Sequence, residues 1–535
     1  MKVRWSKVEQ TNGSQDTLNR WHRFRSRLIV EGAIVGMATG FAVVAYRWIL
    51  TMVMELSGRV FLAVRSDLRL IVPFFLVLIL ISWIIKKMIT QEPLIKGSGI
   101  PQVEAFLLNL LPMKSMKIIM YKIVGSVLSI GSGLSLGREG PSIQLGASVG
   151  KGISSLLGRK KIEERFLVTG GATAGLAAAF NAPLAGVMFS LEEVHKNFSP
   201  LVMASTLVAA VSADYVSKNF FGLSPVMQFG QLESLPLHYY HYAMLLGILM
   251  GFLGVLYNRS LLHSLDFFSK DSLIPKQYKM VIPFLMAGVL ALVLPEVLGG
   301  GHHLLMSLNA SQWGLGFLAI LILVKFVFTM FSYGSGAPGG IFLPLLVLGG
   351  LVGKLYGSML VSWLDFPSLY VTNMIIYAML AYFTAIVRAP ITGIILISEM
   401  TGSLQNFLPL SLVAILSYLV ADLMDSKPIY ESLLARVVKD LPVFLTSERN
   451  KTLLDVPVYM GSSVEGKAVK DIVWPKYCLV VGLKRGQEEI IPKGDTVIKG
   501  GDSLVILATE SRASATRKCL ENLLQDCDLT EDMKS

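Results

Sequence analysis

Long runs of apolar residues recur along this chain. They stand at 75–85 (FLVLILISWII), 242–257 (YAMLLGILMGFLGVLY) and 317–331 (FLAILILVKFVFTMF). Each run is typical of a membrane-spanning or membrane-buried helix, for which roughly 17–25 apolar residues are enough. Other apolar segments are shorter and are broken by glycine or proline. The pattern predicts an all-α polytopic membrane protein with broken helices, whose first partner is the lipid bilayer.

Composition and charge agree with this prediction. Of 535 residues, 53% are hydrophobic and 16% are charged, whereas soluble domains carry about a quarter charged residues. The segment 1–27 is polar and basic and ends in the arginine-rich stretch RWHRFRSR at 20–27. By the positive-inside rule we expect a cytoplasmic N-terminus without a cleavable signal peptide. Basic cytoplasmic loops then account for the net charge of +11 without a nucleic-acid partner.

Two sequence blocks repeat in the same order. GREGPSIQLGASVGK at 137–151 aligns with GIFLPLLVLGGLVGK at 340–354, at an offset of 203 residues. FNAPLAGVMFSLEE at 180–193 aligns with VRAPITGIILISEM at 387–400, at an offset of 207. We therefore predict two inverted repeats, at about residues 28–222 and 236–425, because internal repeats and discontinuous helices are typical of transporters.

The repeat also predicts the chemistry of the site. It pairs Glu139 with Phe342, so the two loops should meet at the repeat interface, where repeat-built transporters bind their substrates. The N–H groups and positive dipole end of a helix N-terminus attract an anion. An anion site would offset the cost of burying the charges of Arg138 and Glu139, about 2.5 kcal/mol or more each at mid-membrane. The sequence therefore indicates anion transport.

Four motifs identify a family. GSGIP at 97–101, GREGP at 137–141, GGIFLP at 339–344 and KPIY at 427–430 resemble the signatures of CLC chloride channels and proton-coupled chloride exchangers. The similarity covers a transport domain at about 28–436. It implies a CLC fold of about eighteen helices per subunit, a homodimer, and a separate ion pathway in each subunit. Together with the C-terminal tail described below, it implies a protein of a bacterial cell membrane.

The resemblance implies a chloride site. In the family, the Ser98 hydroxyl and Tyr430 hold the central chloride together with the backbone N–H groups of Ile341 and Phe342. The alternatives are a helix N-cap for Ser98, simple packing for Phe342 and a membrane-interface aromatic for Tyr430. The serine favours chloride over nitrate, and the GREGP proline argues against a fluoride transporter.

The resemblance also assigns a proton route. Glu139 would be the gate, whose carboxylate competes with chloride for the outer anion site and takes up a proton when displaced; the alternative is an ion pair with Arg138. Glu193 fits the internal proton-transfer position, or it is a helix-end glutamate facing cytoplasmic water. Glu192 and Glu104 are candidates to support the route. An acid at Glu193 favours proton-coupled antiport over a passive chloride channel.

Two other classes of function have less support. An intramembrane protease could use Ser98 as a nucleophile, but no histidine or lysine motif is placed to activate it, so we do not expect an enzyme. A sensor that only uses the membrane part as an anchor leaves the repeat and the four pore motifs unexplained. We expect no metal and no cofactor, and we expect His302 and His303 to lie in a loop.

The composition changes after residue 436. A linker at 437–451 precedes a cytosolic α/β domain at 452–535, whose predicted strands lie in TLLDVPVYM, YCLVVGLKRG and EEIIPKGDTVIKGGDSLVILA. KAVKDIVW predicts a short helix, and SATRKCLENLLQDC predicts a closing amphipathic one. Cys478, Cys519 and Cys527 should be reduced thiols there.

This tail resembles the RCK-C (TrkA-C) subdomain of potassium-transport regulators in EGKAVKDIVWP and PKGDTVIKGGDSLVIL. Such modules usually dimerise, and some bind cyclic di-AMP. The resemblance implies a ligand-sensing regulator, with cyclic di-AMP as the candidate ligand and Lys484 and Arg485 as candidate phosphate contacts. The alternative is a purely structural dimerisation domain.

Overall fold

The computed structural model describes residues 10–196, 198–227, 229, 232–271, 275–276, 278–311, 313–403, 406–439, 451–475, 478–486, 488–509 and 513–525. The chain divides into two compact units, Met1–Lys439 and Asp440–Ser535. The linker expected at 437–451 falls mostly outside the described residues, and so does Cys527.

The first unit is all-α. Its helices are α1 Gln10–Ser66, α2 Ile71–Gln91, α3 Ile100–Leu107, α4 Ser115–Gly131, α5 Glu139–Leu156, α6 Lys161–Phe180, α7 Pro183–Phe189, α8 Pro200–Phe221, α9 Tyr240–Ser269, α10 Val281–Val293, α11 His302–Ala310, α12 Leu315–Gly334, α13 Phe342–Leu364, α14 Val371–Val387, α15 Pro390–Thr401, α16 Phe407–Leu423 and α17 Ile429–Lys439. These seventeen helices among the described residues of the first unit agree with the expected number of about eighteen.

Seven helical segments among the described residues are long and apolar enough to cross a membrane. They lie at Ser26–Ser66, Leu68–Gln91, Pro200–Phe221, Leu237–Ser269, Leu315–Gly334, Phe342–Leu364 and Ser368–Val387. Helices such as α3 and α7, with 8 and 7 residues, are far too short to span a bilayer. This mixture of full spans and short helices confirms a multi-pass membrane protein with broken helices.

The two repeats meet where the sequence alignment pairs them. Gly137 and Gly340 form an antiparallel bridge in which each N–H donates to the other's carbonyl, both at 2.7 Å. These two glycines are equivalent positions of the repeat, so the reciprocal bridge lies on the local pseudo-two-fold axis that relates the two loops. Close helix packing supports it: Gly146 of α5 lies so near Gly171 of α6 that a Cβ on either would overlap the other's carbonyl.

The tail is a small α/β unit. Its strands are β1 Lys451–Pro457, β2 Cys478–Arg485, β3 Glu488–Ile490 and β4 Ser503–Thr509, followed by helix α18 Ala513–Gln525. The sheet has the order β1-β4-β2-β3, and each neighbouring pair is antiparallel. Leu520 and Leu524 of α18 join Leu483 and Ile506 of the sheet in one core. The predicted strands and closing helix are confirmed.

Two local expectations were wrong. KAVKDIVW forms only a single 3-10 turn at Val469–Asp471, because Ala468 bridges Val497 and Ile472 is extended. His302 does not lie in a loop but begins α11, since Gly301 adopts the left-handed conformation (φ 87°) that starts this helix.

Candidate functional site

Glycines bring the motif loops of the two repeats into contact. The Gly97 N–H donates to the Gly336 carbonyl at 3.2 Å, and the Gly339 N–H donates to the Gly97 carbonyl at 3.0 Å. A Cβ on Gly140 would stand 2.8 Å from the Ser98 Cβ, so only glycine allows this approach. The GSGIP, GREGP and GGIFLP segments therefore form one cluster.

Two helices begin at this cluster. α5 begins at Glu139 and α13 begins at Phe342, with Ile341 as its N-cap residue. The first N–H groups of a helix have no acceptor within it and carry its positive dipole end. Ile341 and Phe342 are fully buried, so these donors face the protein interior. The arrangement is suited to hold an anion.

The Phe342 side chain belongs to an aromatic cluster. Its ring centroid lies 4.9 Å from that of Phe383, 5.2 Å from that of Phe180 and 6.3 Å from that of Phe189. Phe342 therefore packs through its ring, while its backbone N–H stays at the helix start. The packing and the anion-binding interpretations are compatible.

Tyr430 lies at the same cluster. Its ring is 6.2 Å from that of Phe189, its side chain is fully buried, and its hydroxyl has no hydrogen-bond partner among the described residues. Full burial does not fit an aromatic at the membrane–water interface. A buried hydroxyl normally finds a partner, so this orphaned donor points to a ligand.

Ser98 is also buried, at 1% exposure. The N-cap position of α3 is Gly99 rather than Ser98. The Ser98 hydroxyl accepts only a long bond, 3.4 Å, from the Ile100 N–H. Its O–H remains able to donate to an anion.

Glu139 is buried at 1% exposure. Its nearest donors are its own N–H and the N–H of Leu343 in α13, but neither carboxylate oxygen makes a hydrogen bond of standard geometry with a described residue. Arg138 acts on it electrostatically and makes no ion pair with it in the described part of the chain. The Glu139 carboxylate thus lies over the facing N-termini of α5 and α13.

Glu193 lies in a π-helical turn, Ser190–Val194, that extends α7. It is 5% exposed, and its Oε1 atom has no hydrogen-bond partner among the described residues. The interpretation as a glutamate facing water therefore does not fit its burial. Its charged neighbours include Glu104 and Lys196, and Lys196 Nζ pairs with Glu104 Oε1 at 2.9 Å.

Tyr430 lies within electrostatic range of both acids. Both Glu139 and Glu193 are electrostatic neighbours of its hydroxyl. The gate candidate and the internal-acid candidate therefore both interact electrostatically with one buried tyrosine, although they come from different helices.

Glu192 has a role that sequence reasoning missed. Its carboxylate accepts from the Thr392 N–H at 2.8 Å and the Thr392 hydroxyl at 2.7 Å, at the start of α15. Its repeat partner Glu399 accepts from the Leu184 and Ala185 N–H groups at 3.1 and 2.8 Å, at the start of α7. Each glutamate caps the other repeat's helix, and the alignment of Glu192 with Glu399 was the signal that could have found it.

In the tail, Lys484 and Arg485 already have partners. Lys484 Nζ lies 2.8 Å from Asp455 Oδ2, and Arg485 makes a bidentate pair with Asp502 at 2.8 and 2.7 Å. These contacts hold the pKa of both carboxyl groups below the ordinary aspartate value. A phosphate group at either cation would have to compete with an ion pair of the fold.

Comparisons with known proteins agree with this geometry. Residues 76–422 match the family model of the voltage-gated chloride channels, and residues 453–520 match the model of the TrkA-C domain.

Individual relatives point the same way. A curated relative, the H(+)/Cl(-) exchange transporter ClcA of Citrobacter koseri, is 32% identical over 420 residues, which cover 77% of this chain and 89% of the relative. ClcA of Vibrio cholerae serotype O1 is 37% identical over 352 residues, or 64% of this chain and 75% of the relative. The crystal structure of a slow cyanobacterial Cl-/H+ antiporter is 31% identical, with a TM-score of 0.73, covering 77% of this chain and 98% of that one. The chain therefore belongs to the CLC family, that of the voltage-gated chloride channels, and carries a TrkA-C domain after its membrane part.

Proposed function

We propose that this protein exchanges chloride for protons across a bacterial cell membrane, as a homodimer with both termini in the cytoplasm. The observation that carries the proposal is the buried Glu139 carboxylate beside the N-termini of α5 and α13, with a second buried acid, Glu193, at the same tyrosine. The relatives named as H(+)/Cl(-) exchange transporters support it.

Chloride would bind where its hydration shell is replaced by fixed donors. The Ser98 and Tyr430 hydroxyls and the N–H groups of Ile341 and Phe342 are such donors, because all four residues are buried and the N–H groups begin a helix. None of these groups carries a full charge, so the site can release the anion again. Chloride is the transported substrate, and no enzymatic reaction is proposed.

Glu139 would couple the two ions. As a carboxylate it occupies the helix N-termini and competes with chloride, since both are anions attracted by the same N–H groups. When Glu139 takes up a proton its charge disappears, its attraction to these donors falls and chloride can enter. The ionised Glu139 side chain therefore excludes chloride from this position, and its protonation allows chloride to enter. One side chain thus couples the two ions.

Glu193 would pass protons between Glu139 and the cytoplasm. It is buried, so a proton must travel from water to reach it. The Glu104–Lys196 pair lies nearby, and Lys196 is 46% exposed while Glu104 is 4% exposed. This pair offers polar groups between the solvent and Glu193, in line with the supporting role proposed for Glu104.

The test is coupled flux. Purified protein in liposomes is given an outward chloride gradient, with the proton gradient initially zero and the voltage clamped by potassium and valinomycin. An exchanger moves protons uphill into the liposomes as chloride leaves, whereas a channel releases chloride without moving protons. The second result would favour the alternative function, a passive chloride channel.

For the tail we propose a regulatory role, with cyclic di-AMP as the candidate ligand. The match of residues 453–520 to the TrkA-C model supports a regulatory module. Titration of the full-length protein with cyclic di-AMP in a calorimeter tests the ligand: binding heat supports it, and no heat at saturating concentration removes it. The alternative is a tail that only joins subunits.

A further inference from the structure

A second buried tyrosine lies at the proposed chloride site. Tyr333 is in the last turn of α12, is 4% exposed, and none of the four motifs contains it. Its hydroxyl oxygen lies 3.3 Å from the point where a Cβ on Gly97 would stand. Gly97 directly precedes Ser98, so the Tyr333 hydroxyl faces the GSGIP loop.

The Tyr333 hydroxyl has two proposed ligands in its surroundings. It lies close to both the side chain and the backbone of Ser98. It is also the strongest electrostatic neighbour of Tyr430, whose own hydroxyl has no partner among the described residues. Buried hydroxyl groups from α12, the loop before α3, and α17 therefore lie in the same region of the fold.

The position of Tyr333 is fixed by the backbone around it. The turn that follows α12 bonds to the GSGIP loop, because the Gly97 N–H donates to the Gly336 carbonyl at 3.2 Å. Gly336 has φ 79°, a conformation that favours glycine. The tyrosine is thus held against Ser98 by the same contacts that assemble the site.

We propose that Tyr333 is a direct ligand of the transported anion and donates its hydroxyl to the same chloride as Ser98 and Tyr430. The Tyr430 O–H has no hydrogen-bond partner among the described residues, although a buried donor normally finds an acceptor. Chloride is such an acceptor, with room for several donors, and the Tyr333 hydroxyl at the GSGIP loop is placed to be one of them. The proposal rests on the proposed function, since it needs an anion at this site.

The main experiment measures chloride affinity by isothermal titration calorimetry in detergent. Tyr333→Phe keeps the ring and removes the hydroxyl, and one hydrogen bond to a charged partner corresponds to about a tenfold change in affinity. We expect the dissociation constant for chloride to rise about tenfold in Tyr333→Phe. Tyr377→Phe is the matched control: it also removes a buried hydroxyl, but one that donates to Asn406 at 2.7 Å, and it should stay within about twofold of the wild type.

A double-mutant cycle separates a ligand from a residue that only positions Ser98. If Tyr333 binds the anion itself, Tyr333→Phe weakens chloride binding in the Ser98→Ala background too. An effect that vanishes in that background would overturn the proposal, and so would an unchanged affinity in the Tyr333→Phe single variant. If the wild type binds no chloride at all, the proposed chloride site is wrong and the role of Tyr333 is overturned with it. If Tyr430→Phe weakens chloride binding but Tyr333→Phe does not, only the role of Tyr333 is overturned.

Discussion

Lys122 and Lys325, 203 residues apart, make the same contacts in the two repeats. Both side chains are fully buried. Lys122 Nζ donates to the Gly97 carbonyl at 2.7 Å and to the carbonyl two residues earlier at 2.9 Å. Lys325 Nζ donates to the Gly299 carbonyl at 2.7 Å and to the carbonyl two residues earlier at 2.8 Å. Each lysine fixes the loop that precedes a short helix.

The lysine pair gives the first prediction. Lys325→Met removes the side-chain donor from two buried carbonyls. Lys122→Met leaves the Ile95 carbonyl without its lysine donor, while the Gly97 carbonyl keeps the Gly339 N–H. Each unsatisfied group costs about 1–3 kcal/mol. We expect both variants to unfold at lower temperature in detergent. Only Lys122→Met should also weaken chloride binding, because Gly97 adjoins Ser98. Equal chloride affinities of the two variants would contradict the role given to the GSGIP loop.

The glutamate caps give a second prediction. Glu192→Gln and Glu399→Gln each weaken the cap of a helix of the other repeat, and we expect each to lose about 1 kcal/mol of stability. Because Glu192 also adjoins Glu193, only Glu192→Gln should slow proton transport in liposomes. Glu399→Gln is the matched control, and an equal loss of proton transport in both variants would show that Glu192 acts only as a cap.

The tail gives a pH prediction. The Arg485 guanidinium lowers the pKa of Asp502, so the ion pair contributes stability at pH values above the unfolded aspartate pKa of about 3.9. This stability is lost as the pH falls through the lower, folded pKa. Since the tail has its own core, a fragment of residues 440–535 can be unfolded in urea at several pH values.

Asp502→Asn is the variant for that experiment. It should lower the free energy of unfolding at pH 7 by about 1–3 kcal/mol, because it removes a bidentate, charge-assisted contact. Below pH 4 the difference from the wild type should shrink. A difference that stays constant between pH 7 and pH 3 would contradict the titration of Asp502.

The gate gives a fourth prediction. Glu139→Gln cannot lose a proton and cannot compete with chloride as an anion. We expect chloride transport to continue without coupled protons and to lose its dependence on pH between 4 and 7. Flux recordings at several pH values check this, and proton coupling retained in Glu139→Gln would show that another group carries the proton.

The repeat explains how much of the site could be predicted. The sequence alignment of the repeats pairs Gly137 with Gly340. Their reciprocal hydrogen bonds follow because equivalent loops meet at a pseudo-two-fold axis. Short motifs with fixed spacing therefore predicted which backbone segments assemble. The apolar runs predicted the long spans because the hydrocarbon core of a bilayer requires apolar side chains over the length of a helix. The spans are helical because each backbone polar group must form its hydrogen bond within its own segment.

Side-chain partners over long separations were not predictable in the same way. Glu192 reaches Thr392, 200 residues away, and the repeat alignment marked Glu192 and Glu399 as equivalent without showing which helix each one caps. Tyr333 lies outside the motifs, so its place at Ser98 depends on the turn after α12. His302 was assigned to a loop because a glycine run usually breaks a helix, whereas here the last glycine begins one.

In the proposed exchange, Glu193 passes protons while chloride uses a separate set of ligands. The most direct measurement is simultaneous chloride and proton flux from liposomes that contain the wild type or Glu193→Gln, which removes the ionisable group and keeps the shape. We expect that wild-type chloride efflux drives protons uphill, and that Glu193→Gln keeps chloride efflux and loses the coupled proton movement. Proton movement with an unchanged ratio to chloride in Glu193→Gln would contradict it.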